Sequence, residues 1–290
     1  MMLIPERPGA CRLCGETSGV LSLEHIPPKS SGNRGRGEIE YFSLGDQRGV
    51  VRTDLSDGVA LRVLCEDCNN RFGSRLGTTF SDFAVQVRSS GRFEVPGGGA
   101  FVAAVEIYPS RIVRQLLLTY ICAHPVDDRT GWDDLREYIK SRSGSLPDTA
   151  PRLALYFNPA DTYRIVPTCS VGAIDGTRRQ WAGAEIAVPG LGVLFSLVSH
   201  DGATRLIGKR PVDISEWGAV PFDKRESLSL KLPRLRVEAP HPLGFGTRRD
   251  VDRWQSRNAV VWGVAEAQYP ESPLAIGAVW RVHRPRRKYA

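Results

Sequence analysis

The spacing of hydrophobic positions changes character near residue 150. Before it, the clearest regular stretch is YPSRIVRQLLLTYICAHP, where Ile112, Val113, Leu116, Leu117, Tyr120 and Ile121 recur at helical spacing behind Ser110, a suitable N-cap. A shorter helix is expected in GWDDLREYIKSRSG, with Asp133 and Asp134 at the positive end of its dipole and Lys140 and Arg142 at the negative end. From about residue 152 the pattern turns to short strands: RLALYFN, TYRIVPT, GAEIAV, GVLFSLVS, SLSLKL, NAVVWGVAEAQY and LAIGAVWRVH, punctuated by Gly, Pro and Asp. Polar turns dominate before residue 95, and PGGG at 96–99 reads as a linker or wide turn. The expected class is α+β, with an N-terminal module over 1–95 and a mostly antiparallel β domain with two helices over 100–290.

Composition narrows the class. The 290 residues are 41% hydrophobic and 24% charged, an ordinary globular balance. No apolar run approaches the roughly 18 residues of a bilayer span, LGVLFSLV being far too short, and no membrane role is expected. MMLIPERPGA lacks the layout of a secretory signal, so the expected compartment is cytoplasmic, with reduced thiols. The formal charge is +7, yet residues 1–100 carry equal numbers of acids and bases. All the excess lies beyond them, much of it in the closing RVHRPRRKYA, so attraction for a polyanion is expected mainly from the C-terminal side. A solvated terminus is the other reading of that tail.

Four of the six cysteines form two pairs, Cys11 and Cys14 in CRLC and Cys65 and Cys68 in CEDC. Two intervening residues let both thiolates of a pair reach one tetrahedral ion, usually zinc. The fifty residues between the pairs exceed the usual spacing, but the entropy of closing a loop grows only logarithmically with its length. Four thiolates leave no open position, so this Zn2+ would be structural. Cys122 and Cys169 read as packing residues.

The chemistry is therefore sought in LSLEHIPPKS, where Glu24 precedes His25 and two prolines come soon after. Cleaving a phosphodiester requires that water lose a proton as it attacks and that the departing oxygen be stabilised. Imidazole suits the first task and a divalent cation on oxygen ligands the second. Neighbours on an extended strand face opposite sides, so Glu24 and His25 serve one phosphate only where the chain bends, and Pro27–Pro28 is consistent with a strand ending there.

Taken together, CRLC, the acid followed by HIPPKS, and LCEDCNNRFGS resemble the HNH endonucleases of the ββα-metal fold. More narrowly, they are similar to the zinc-containing members whose cysteine pairs brace the hairpin and helix. The resemblance covers residues 11 to about 77 and says nothing of 100–290. It implies an N-terminal ββα-metal module with Cys11, Cys14, Cys65 and Cys68 on zinc, His25 as general base and Glu24 as a metal-ligand carboxylate. It also implies a second metal-binding side chain directly after the last cysteine. That residue is commonly His; here it is Asn69, with Asn70 the neighbouring alternative, and RNA-guided nucleases of the family also carry Asn there. An amide oxygen suits a hard ion, so the implied catalytic cation is Mg2+ or Mn2+. The family's middle Asn, which orients the base, falls on Asp57 or Asn33.

Lys29, Arg71 and Arg75 are candidate phosphate contacts, Arg71 being equally placed to pair with Glu66 or Asp67. The implied activity is metal-dependent hydrolysis of DNA. The alternative is a catalytically inactive, zinc-stabilised module that binds nucleic acid or a partner. The region 100–290 carries no chemical motif and is left for recognition, with a homodimer or a partner subunit as its expected company.

Overall fold

The computed structural model describes residues 9–18, 20–31, 33, 37–41, 51–55, 58, 60–93, 100–123, 132–158, 163–173, 180–196, 211–233, 259–262 and 279–282. Asp57, the PGGG stretch and the tail beyond Val282 lie outside the described residues. The class is α+β, with antiparallel sheets and few helices. Among the described residues no helix is long and apolar enough to cross a membrane.

The chain begins with a two-residue ribbon, β1 (Gly9–Ala10) and β2 (Thr17–Ser18), around a tight loop that opens with Cys11. Gly15 takes φ +80° there, a left-handed conformation that glycine adopts freely. Next comes β3 (Ser22–His25), then a 3-10 turn at Lys29–Ser31. β4 (Gly37–Tyr41) and β5 (Val51–Leu55) pair with each other, and β6 (Ala60–Leu64) returns to pair antiparallel with β3. From Glu66 to Ser90 the backbone is helical throughout: α1 (Glu66–Cys68), a π turn (Asn69–Gly73) and α2 (Ser74–Ser90).

β7 (Arg92–Phe93) and β8 (Ala100–Ile107) precede the two expected helices, α3 (Pro109–Ala123) and α4 (Asp133–Lys140). β8 was not among the expected strands, although Phe101, Ala103, Val105 and Ile107 are buried in strict alternation. α3 also differs from the amphipathic pattern, because nearly all its side chains are buried, Arg114 and Gln115 included. Ser110 does not cap it. Tyr108 accepts the first N–H bonds, from Arg111 and Ile112, Pro109 takes the first position, and the Ser110 hydroxyl instead accepts a bond from Arg114.

The expected β region comprises β9 (Arg152–Tyr156), β10 (Tyr163–Ala173), β11 (Gln180–Val188), β12 (Leu191–Ser196), β13 (Val212–Asp213), β14 (Glu226–Pro233), β15 (Ala259–Trp262) and β16 (Val279–Val282). Most of it forms one sheet in the order β13-β9-β12-β11-β10-β16-β4-β5, with β15 also on β10. β14 leaves that sheet and pairs along its whole length with β8, which also holds β7. Beyond β7 the same edge of β8 is taken by side chains of α2: Ser90 Oγ donates to Ala104 O, and the Gln86 amide exchanges bonds of 2.7 and 3.0 Å with the Glu106 backbone. An open strand edge is thereby covered. One cluster of buried side chains extends from Cys11 through α2, β8 and α3 to Leu232.

Gly91 ends α2 where the Phe101 ring passes, and that ring stacks on Phe157 at 4.0 Å. A Cβ at Gly91 would lie 2.0 Å from the Phe101 ring. Gly91→Ala is expected to lower stability by about 1–3 kcal/mol, read as a drop in denaturant midpoint at unchanged slope. An unaltered midpoint would show that the ring is not held there.

Candidate functional site

The four paired cysteines meet in space. Their sulfurs all lie within 4.8 Å of one another, and Cys14 Sγ is 3.8 Å from Cys65 Sγ. A tetrahedron with 2.3 Å bonds has edges of about 3.8 Å, so the donor set and its spacing fit zinc. Among the described residues no other group of His, Cys, Asp and Glu is arranged in this way. The thiols of Cys11 and Cys68 strongly perturb each other. Cys11 is pushed down to about 4, chiefly by a hydrogen bond from Cys68, while Cys68 is pushed up by Cys11 and by burial.

The loop carrying the first pair is docked on the helices. Arg12, between Cys11 and Leu13, donates through Nη1 to the carbonyls of Ile121 and Cys122 at 3.1 and 2.7 Å. These are last-turn carbonyls of α3, which a guanidinium satisfies well. Arg136 of α4 in turn donates to Arg12 O at 2.8 Å.

β3 places Ser22 and Glu24 on the face toward the helix, and strand alternation gives Leu23 and His25 the other face. Asn69 opens the π turn, where Ser74 N–H reaches back five residues to Asn69 O. Its side-chain Nδ2 donates to Ser22 Oγ at 3.1 Å and to Leu23 O at 3.3 Å. A carbonyl can only accept, so the amide is oriented with Oδ1 turned away from Leu23. That oxygen faces Glu24 across Gly73. The point where a Cβ on Gly73 would stand is 2.6 Å from Asn69 Oδ1 and 3.2 and 3.5 Å from the two Glu24 oxygens.

Glu24 is 9% exposed, and no described residue donates a hydrogen bond to it. Burial alone pushes its carboxyl up to about 7. Glu24 and Asn69 thus bring acceptor oxygens to the same side of Gly73 and could hold a hard cation, carboxylate and amide oxygen being ligands that Mg2+ or Mn2+ accepts. Gly73, four residues past Asn69, escaped the sequence reading; a lone glycine inside a helical run was the available signal.

His25 is half-buried and ends β3, opposite Ala60. The chain leaves it through Ile26 and Pro27, joined by a cis peptide bond. The segment beyond Pro27 is fastened to α2: Pro28 packs on Gly77, where a Cβ would lie 3.2 Å from its ring, and the hydroxyls of Ser30 and Ser81 are 2.7 Å apart. Asn33 is fully buried and donates to Pro27 O at 2.8 Å, two residues beyond His25.

The remaining candidates are spread over the surface. Asn70 is exposed, and its carbonyl accepts from Ser74. Lys29 is exposed on the 3-10 turn. Arg71 is exposed, with its guanidinium 5.3 Å from the Phe72 ring and not on Glu66 or Asp67. Arg75 turns instead to Asp223, at 3.5 Å, and to the Phe222 ring. No family model matches the chain, and no curated protein or solved structure was found similar to it.

Cys65→Ser is expected to lose bound zinc and, through the Arg12 contacts, to lower the melting of the whole described core. Elemental analysis beside a thermal scan checks this; full zinc occupancy would exclude the four-sulfur site. Glu24 yields a pH dependence of opposite sign to that of a salt-bridged carboxylate. Its folded value of about 7 exceeds the ordinary 4.5, so its favourable share is complete below about pH 4.5, declines as pH rises, and is gone above about pH 7. In zinc-loaded protein without Mg2+ or Mn2+, Glu24→Gln should remove a decline on the order of 3 kcal/mol between those limits. Denaturant titrations at pH 5 and pH 8 measure it, and parallel pH profiles for variant and wild type would disprove the assignment.

Proposed function

We propose that this chain is a metal-dependent endonuclease of the HNH type, hydrolysing DNA phosphodiester bonds. The observation that carries the reading is the convergence of Glu24 and Asn69 oxygens over Gly73. It is supported by the antiparallel pairing of β3 with β6, which leads directly into the helix after β4 and β5 have intervened, and by the cysteine cluster where β6 meets the helix.

In this reading Glu24 and Asn69 would hold Mg2+ or Mn2+, which would neutralise charge on the departing oxygen. His25 acts from the end of β3, so a phosphate laid across that end meets the imidazole from one side and Glu24 from the other. An imidazole nitrogen of His25 takes a proton from water as the water oxygen attacks phosphorus. A phosphorus–oxygen bond to water forms, the bond to the 3′ oxygen breaks, and that oxygen takes up a proton from solvent. Asn33 and the Pro28–Gly77 and Ser30–Ser81 contacts hold the segment after His25 in place, so the base does not have to be ordered during the reaction. Zinc on the four cysteines would fix β3 relative to the helix and take no part in the chemistry.

The test is nicking of supercoiled plasmid by the full chain with Mg2+ or Mn2+. His25→Ala, which removes the base, should slow cleavage by about 10²-fold or more while zinc content and melting stay at wild-type values; Gly73→Ala, whose Cβ would stand 2.6 Å from Asn69 Oδ1, should slow it comparably with zinc retained and a modest loss of stability. Cleavage by His25→Ala at the wild-type rate would exclude the proposed base. A wild-type chain that binds DNA but cuts it with neither cation would favour the inactive binding module.

A further inference from the structure

We infer that a second phosphate-binding site lies round the helix from the Glu24–Asn69 pair: an arginine basin on Phe222 that receives the backbone of the bound DNA. The identity of the ligand rests on the nuclease reading; the geometry of the basin does not. Four guanidinium groups gather on one ring. Arg75 comes from α2, Arg111 and Arg114 from α3, and Arg142 from just past α4, with centres 5.0, 4.9, 5.4 and 5.3 Å from the Phe222 ring centroid. The residue after that ring is Asp223, on a turn closed by Lys224 N–H to Pro221 O. Arg111 and Arg75 engage its Oδ1, and Arg142 engages its Oδ2.

The charges do not balance. Among the described residues Asp223 is the only acid that pairs with any of the four, so several positive charges share one carboxylate. The carboxylate is itself exposed, and exposed ion pairs contribute little to stability. Three arginines on one exposed acid are therefore poorly explained as stabilisation. They are well explained as a fork for an anion. Guanidinium groups pair bidentately with phosphate oxygens, and Arg75 and Arg142, 47% and 62% exposed, each use only Nη2 on Asp223. Asp223 presents two oxygens to arginines from different helices, as the two free oxygens of a phosphodiester would, and so stands as a resident competitor.

The position suits a substrate path. Arg75 is two residues past Gly73 on the same helix, within about one helix diameter, on the order of 10 Å. That corresponds to a rise of roughly three nucleotides along a duplex axis.

Opposite effects from two exposed residues test the proposal. Binding of a short labelled duplex to the zinc-loaded full chain, without Mg2+ or Mn2+, is followed by anisotropy over a range of salt. Arg142→Gln should weaken binding and flatten the slope of log affinity against log salt by about 0.9, one phosphate contact. Asp223→Asn should tighten binding by about three-fold or more, with both variants melting like wild type. Unchanged affinity in both, or weakening in both together with lower melting points, would reduce the cluster to a surface ion-pair network and overturn the basin. Plasmid nicking by the same proteins separates the two claims. Cleavage with no binding shift removes the basin alone, whereas the stated binding shifts with no cleavage by wild type remove the nuclease reading alone.

Discussion

Four sulfur atoms within 4.8 Å of one another bring the loop between β1 and β2, a few residues before β3, to the start of the helix across an excursion of fifty residues. Closing a loop of that length costs roughly 3–4 kcal/mol of chain entropy. Structural zinc sites supply an apparent 10–16 kcal/mol or so at neutral pH, so one ion offsets the closure with margin. The β3–β6 ladder has little strength of its own, since a two-stranded pair is marginal in water. The cluster therefore decides whether Ser22 Oγ and Leu23 O stand where the Asn69 amide can reach them. Arg12 carries the same constraint to the end of α3.

Two buried charges in this chain are treated in contrasting ways. Arg114 is 1% exposed and meets no carboxylate, yet its guanidinium donates to the carbonyls of Tyr138, Ser141 and Ser110 and to the Tyr138 hydroxyl. A buried cation so provided for is part of the architecture. Glu24 receives no comparable treatment: its carboxylate is buried against the acceptor end of an amide. No described residue donates to it, and the cost of burying it is relieved by a proton, a cation or a bound water. That asymmetry, more than the family resemblance, is what the proposal for residues 24 and 69 rests on.

Much of this was legible in the sequence because it rests on local pattern. Helical spacing located α3 and α4, turn residues bounded the strands after residue 150, and the two Cys-x-x-Cys pairs pointed to one cluster. The features that escaped depend on partners far along the chain. The alternation over Phe101–Ile107 was present, but β8 acquires its meaning from β14, more than a hundred residues away. Arg114 reads as the polar side of an amphipathic helix and is in fact inside. The π turn has no spacing signature, since one extra residue in a helix is set by what it must face. Gly73 becomes understandable only once the Glu24 oxygens are known to stand above it.

The distribution of charge obeys the same division between local and distant. Residues 1–100 are neutral, so a module built from them alone would have little field with which to draw a polyanion. The fold compensates by bringing positive charge from elsewhere: Arg111 and Arg142 belong to the C-terminal excess, yet they stand beside Arg75 on the helix that begins with Asn69. The packing of α2 on α3 thus does more than bury Leu76, Phe80 and Phe83; it lends the strand–strand–helix unit charges that its own sequence lacks. Asp223 moderates the result, since its carboxylate draws Arg75, Arg111 and Arg142 together and offsets part of their mutual repulsion.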